Sequence, residues 1–208
     1  MFFLNFFLLI FCLLFSGNIH ATDSPCTGDE CKPIAVYNTW EVYSVPDRNS
    51  KQENKQICFL ASAPIFSSGS YTKRGDPVVY IRHISNEISE VSATPGYPLQ
   101  KDTYGEIAVS YTKDSLGPIR DQITTTLKDQ GLCIIPANQK EKILMDLVVE
   151  EFVWFRDYND DNNVVKSMKR GYYLFFLGKS RKNTCSIDVY SLEGFIKAFN
   201  KMNALCQE

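Results

Sequence analysis

From Ile34 to Tyr111 the chain keeps returning to one unit: a short run of β-branched and aromatic residues, then a cluster of turn formers. IAVYNTWEVYSV gives way to the polar loop PDRNSKQENKQ. ICFLASAP ends at Pro64. PVVYIRHI and EISEVSA are separated only by Ser85-Asn86, which predicts a hairpin. TPGYP is a turn cluster, and GEIAVSYT follows with Ile107, Val109 and Tyr111 on one face. Such runs are strands, and an aromatic share of 13% supports β structure. The expected fold is therefore mostly antiparallel β.

The second half is more mixed. After Gly117-Pro118, IRDQITTTLKDQG places Ile119, Ile123 and Leu127 at helical spacing, with Pro118 to open a helix and Gly131 to close it. KEKILMDLVVEEFVWF fits two structures: Leu144, Leu147, Val148 and Phe152 suit a helix, whereas DLVVEEFVWF suits a buried strand. DYNDDNN reads as a solvated polar loop. Its acidity resembles a calcium loop, but it lacks the glycine and terminal glutamate that ligand spacing requires, so no metal site is expected there. GYYLFFLG and CSIDVY are strands. SLEGFIKAFNKMNALC predicts a helix, with Ser191 as N-cap and Glu193 in the first turn. Leu192, Phe195, Ile196, Phe199, Met202 and Leu205 would form its apolar face, covering a sheet.

The first 21 residues contain no Asp, Glu, Lys or Arg, and residues 6–15 are all apolar. The run is short for a membrane span and is followed by Gly17-Asn18 and a small-residue site at Ala21, so 1–21 is expected to be a secretory signal peptide; an uncleaved anchor is the rival. Cys12 lacks the preceding small residue of a lipid-modified cysteine. Residues 22–33 are expected to form a polar N-terminal arm, and 34–208 one domain. No integral span is expected once the leader is gone.

Six cysteines follow the leader: Cys26, Cys31, Cys58, Cys133, Cys185 and Cys206. In an exported chain an even count points to disulfides, and six thiols allow about 15 pairings, among which spacing does not choose. Cys26 and Cys31 are close enough to close a small loop. Zinc is not expected, because the chain after the leader has one histidine, His83, and no CxxC. A net charge of -2 with no basic aromatic patch excludes nucleic acid as the expected partner.

Catalytic signatures are scarce. The sequence has no nucleophile elbow, no HExxH, no P-loop and no dinucleotide fingerprint. His83 lies in a strand pattern, where a structural role is commoner. Glu150-Glu151 and Asp160-Asp161 are adjacent, and adjacent strand residues face opposite ways. No catalytic residue and no cofactor are therefore assigned, and a binding or structural role is expected. One tripeptide stands out: Arg74-Gly75-Asp76, which host integrins recognise. Gly75 gives turn freedom and Pro77 starts a strand, so a turn is favoured over an adhesion ligand.

Three segments carry a resemblance. VVKSMKRGYYLFFLGKSRKNTCSIDVYSLEGFIKAFNKMNALC has Met168, Lys169, Gly171, Ser180, Asp188, Tyr190, Ser191, Leu192, Gly194 and Cys206 in the order of a known closing pattern. KRGDPVVYIRHI leads to a Gly-Tyr-Pro-Leu turn, and TWEVYS precedes CFLASAP. Together they resemble the invasion-associated locus B family, exported proteins of alphaproteobacteria, over about Tyr37 to Cys206. The middle, 114–150, departs from the family and looks expanded. The resemblance implies an antiparallel, jelly-roll-like β-sandwich with a C-terminal amphipathic helix packed on it. It implies a periplasmic or surface-associated protein linked to host-cell invasion, binding an envelope or host protein, with no defined reaction. It also implies a Cys58–Cys206 bond, which leaves Cys133 with Cys185. The related segments often lack the glycine of Arg74-Gly75-Asp76, which weighs further for the turn. Two rival functions stand beside this one: a periplasmic thiol-redox or hydrolytic enzyme using His83 or a free cysteine, and a structural protein of envelope integrity.

Overall fold

A computed structural model describes residues 32–51, 55–100, 105–113, 116–129, 131–136 and 141–207. The expected leader, Cys26 and Cys31 lie outside the described residues. The chain begins with a hairpin of β1 (Ala35–Tyr37) and β2 (Trp40–Pro46). Its turn holds Asn38 at φ 57°, a conformation that asparagine tolerates better than most residues. β3 (Gln56–Ser62), β4 (Phe66–Gly69), β5 (Val78–His83), β6 (Ser89–Thr94) and β7 (Gly105–Ser110) follow. α1 (Leu116–Thr124) continues into a π-turn at Thr125–Asp129. Then come β8 (Glu141–Met145), β9 (Leu147–Val149), β10 (Phe152–Trp154), α2 (Tyr158–Met168), β11 (Tyr173–Lys179), β12 (Cys185–Ser191) and α3 (Phe195–Leu205).

The strands form two antiparallel sheets. One runs β1-β2-β3-β5-β6-β10-β9, the other β4-β12-β11-β7-β8. β5 and β6 pair as the predicted hairpin, with His83 opposite Ser89. The sheets face each other across a core that includes Trp40, Leu60, Ile81, Val91, Ile107, Phe176 and Tyr190. α3 lies in this core at the β1-β2-β3 end: Phe195 sits 4.9 Å from Trp40, whose indole N–H donates to the Ser191 carbonyl at 2.8 Å. α2 adds Val164, Val165 and Met168. Each fully buried side chain of this size contributes roughly 1.5–3 kcal/mol.

The centre of the smaller sheet is buried on both faces, which explains why GYYLFFLG is apolar without alternation. Leu174 and Phe176 face the core, while Phe175 and Leu177 join a second cluster beneath α1.

Two expectations are corrected and one open alternative is resolved. DYNDDNN is not a loop: Asp157 is an N-cap that accepts from the Asn159 N–H, and Tyr158 to Met168 are helical. Acidic residues in a first turn complement the helix dipole, so a polar run can open a helix. The C-terminal helix starts later than Ser191, because β12 stays paired to β11 through Ser191. Gly194, at φ 88°, turns the chain into the helix, and Ile196 points outward, half exposed. KEKILMDLVVEEFVWF resolves into β8, β9 and β10, with Glu150 in the β9–β10 turn at φ 56°.

Candidate functional site

Alternation along β12 sends Tyr190 inward and Ile187 and Val189 outward, so Ser186 and Asp188 also face inward. Asp188 is fully buried. A carboxylate there needs a partner, and the segment between β4 and β5 supplies it. Arg74 reaches in with its side chain 8% exposed, donating to Asp188 at 2.7 and 3.2 Å. Its guanidinium also lies 4.3 Å from the centre of the Tyr71 ring, a cation–π contact. Burial works against charge on Arg74, but the bond and charge of Asp188 outweigh it and hold its pKa above the usual value. Burial lifts the Asp188 carboxyl above the ordinary carboxylate range, with Arg74 pulling the other way.

The turn around this pair is fixed by backbone. Gly75 N–H donates to the Gly96 carbonyl at 2.7 Å. Gly96 sits at φ 73°, and a Cβ there would come within 2.3 Å of the Gly75 oxygen. Next to it, Tyr97 O–H bonds the Gly178 carbonyl and Ser186 Oγ, both at 2.8 Å. Burial pushes the Tyr97 phenol up to about 12. The Lys-Arg-Gly-Asp-Pro stretch, the Gly-Tyr-Pro turn and the Ser186–Asp188 strand are far apart in sequence and meet in this one knot.

Arg74-Gly75-Asp76 is divided between the interior and the surface. Gly75 and Asp76 are exposed, but the arginine an adhesion receptor would read is committed to Asp188 inside the protein.

The other singled-out residues separate. His83 is half-buried, with Nδ1 3.1 Å from Asn203 Oδ1 of α3. Cys58 is bonded to Cys206 and Cys133 to Cys185. Asp160 and Asp161 lie on α2, where Asp161 is buried and accepts from the Val91 N–H at 2.6 Å, beyond the last residue of β10. Burial, the largest influence, pushes the Asp161 carboxyl up to about 7; the Val91 bond opposes this, and the charges of Glu90, Asp160 and Asp157 add to it.

A surface that sequence reasoning missed lies on the outer face of the larger sheet. Tyr43, Phe59, Tyr80, Phe152 and Trp154 form a continuous aromatic row, ring to ring at 4.9–6.3 Å. Tyr43 donates to the Glu41 carboxylate, and Arg82 pairs with Glu90 at 3.0 Å on the same face. Exposed Leu147 and Val149 extend the row at β9. The buried residues of α2 and α3 belong to the core between the sheets, and those of α1 to the smaller sheet. Among the described residues this face has no helix over it. The signal was present as every second residue of Glu41-Val42-Tyr43, Cys58-Phe59 and Val79-Tyr80, but pairing was needed to bring them together. A groove of about 400 Å³ is lined by Tyr37, Asn38, Leu192, Glu193, Gly194, Ile196 and Lys197.

No family model and no curated protein match this chain. Among solved structures, invasion associated protein B from Bartonella henselae has the same fold, with a TM-score of 0.50 and 13% identity, covering 84% of this chain and 98% of that one. The resemblance carried by the sequence motifs extends to the fold.

Proposed function

We propose that this chain is an exported, non-enzymatic protein that acts by binding a protein partner in the envelope or at the host interface, in support of host-cell invasion. The observation that carries the reading is the aromatic row on the outer face of the larger sheet, half-exposed at Tyr43, Tyr80, Phe152 and Trp154, over which no described helix lies. Aromatic side chains concentrate in protein interfaces, because they bury much surface at low entropic cost. The name of the structural neighbour, a protein associated with invasion, supports the biological setting. The engagement of Cys58, Cys133, Cys185 and Cys206 in disulfides supports binding over a thiol enzyme.

The test is complementation of a deletion strain with Tyr80→Ser/Trp154→Ser. The double variant, secreted at normal level with unchanged circular dichroism, is expected to leave host-cell entry defective while resistance to detergent and osmotic stress stays normal. Full restoration of entry would sink the proposed surface. Loss of envelope resistance on deletion, with entry unaffected, would move the protein to envelope integrity instead.

A further inference from the structure

The outer face of the smaller sheet is covered by α1, the π-turn and Ile135. Ile119, Ile123, Leu127 and Ile135 pack on Ala108, Phe175, Leu177, Ile187 and Val189. This cluster shares no residue with the core between the sheets. The cover is made from weak helix formers. α1 has nine residues, no acid in its first turn and no base in its last. Thr124, Thr125 and Thr126 follow in succession, and the helix relaxes into a π-turn. A segment this short does not stay helical in water without docking. One covalent bond fastens it: Cys133 to Cys185, the first residue of β12. Each of the two bonds joins a half-buried cysteine (Cys133, Cys206) to a buried one (Cys185, Cys58), but only Cys58 lies in the main core, while Cys185 belongs to the cluster under the cover.

We propose that the Cys133–Cys185 bond is a redox latch: its reduction by a dithiol releases the α1 cover from the smaller sheet while the sandwich stays folded. A thiolate of the dithiol attacks Cys133 Sγ, the S–S bond breaks, and Cys185 leaves as a thiolate that takes up a proton. The second thiol of the reductant then attacks its own mixed-disulfide sulfur and frees Cys133. Two electrons and two protons pass to the protein, and the reductant ends as a disulfide. The separate clusters make the step selective. Loss of the cover strips Phe175, Leu177, Ile187 and Val189 on one side only, and leaves Leu174, Phe176 and Tyr190 packed on the other. The face so uncovered is a contiguous apolar surface of the kind that marks interaction sites.

The test is stepwise reduction of the native protein with dithiothreitol. Alkylation and peptide mass mapping identify which bond opens, and hydrogen exchange is followed by mass spectrometry. Cys133 and Cys185 are expected to be alkylated while Cys58 and Cys206 remain joined. Peptides of α1 should then lose protection at least tenfold, and those of β2, β3 and α3 should keep theirs. Earlier opening of Cys58–Cys206, or full protection of α1 after reduction, overturns the proposal. So does cooperative loss of protection across both sheets. Cys133→Ser/Cys185→Ser is expected to show the released pattern without reductant. If this variant keeps α1 protected, or cannot fold at all, the latch is refuted.

Discussion

Truncating either side of the buried pair should be severe, and the two truncations should differ in how they respond to pH. Arg74 and Asp188 are both sequestered from water and joined by two hydrogen bonds. Breaking such a pair from one side costs about 3–5 kcal/mol, because a charge is left buried alone. At this chain length each kcal/mol moves Tm by about 2–4 °C, so a fall on the order of 10 °C is expected. In Arg74→Ala the stranded group is a carboxyl that can take up a proton. Burial already lifts it, and Arg74 no longer opposes the rise. A group whose folded pKa exceeds its unfolded value favours folding below the unfolded pKa, and that advantage disappears as pH rises through the folded pKa. The penalty of Arg74→Ala should therefore be smaller near about pH 5 than near about pH 8. Asp188→Ala strands a guanidinium that cannot shed its proton, so this variant gains no relief of its own on acidification. Urea denaturation of both variants at the two pH values reads the difference. A cost below about 1 kcal/mol for Arg74→Ala at the higher pH would refute the reasoning, as would equal costs at both.

Asp161 gives a second pH prediction. Its carboxyl, lifted to about 7, favours folding below the ordinary carboxylate pKa, and that contribution fades as pH rises through 7. Asp161→Asn keeps an oxygen for the Val91 N–H and cannot ionise. Its Tm should exceed that of the parent near about pH 8 and approach it near about pH 4; a constant gap would count against the assignment. Gly194→Ala places a Cβ 2.5 Å from the Tyr37 carbonyl oxygen at φ 88°. It should lower stability by at least about 1–2 kcal/mol in a denaturation experiment, and a neutral result would mean that the entry to α3 is not fixed.

The strand rhythm of the first half was legible because each run carries its own β-branched or aromatic residues and its own turn. β4 was not, since Phe66-Ser67-Ser68-Gly69 is a strand only because β12 pairs with it. α2 had readable signals in Asp157, Asp160 and Asp161 ahead of Val164, Val165 and Met168, but acidity and the neighbouring asparagines suggested a loop. The start of α3 was misplaced because Ser191 satisfies capping preferences locally, whereas cross-strand pairing decides the matter. Asp188 was visible as a lone charge in an apolar strand. Its partner lies 114 residues away in sequence, and no local pattern announces such a distance. The outer aromatic row was hidden for the same reason, since its members become neighbours only through strand order.

The two described disulfides are nested: Cys133–Cys185 lies wholly inside the span closed by Cys58–Cys206. This arrangement bears on biogenesis. An oxidase that joins these cysteines in the order in which they enter an oxidising compartment would couple Cys58 to Cys133 and leave Cys185 for Cys206. Both of those bonds are wrong. The inner pair can form correctly only after β12 has been delivered, and the outer pair only when the end of α3 has arrived. Production of the native molecule therefore depends either on oxidation that waits for the sheets to assemble or on an isomerase that reshuffles early mistakes.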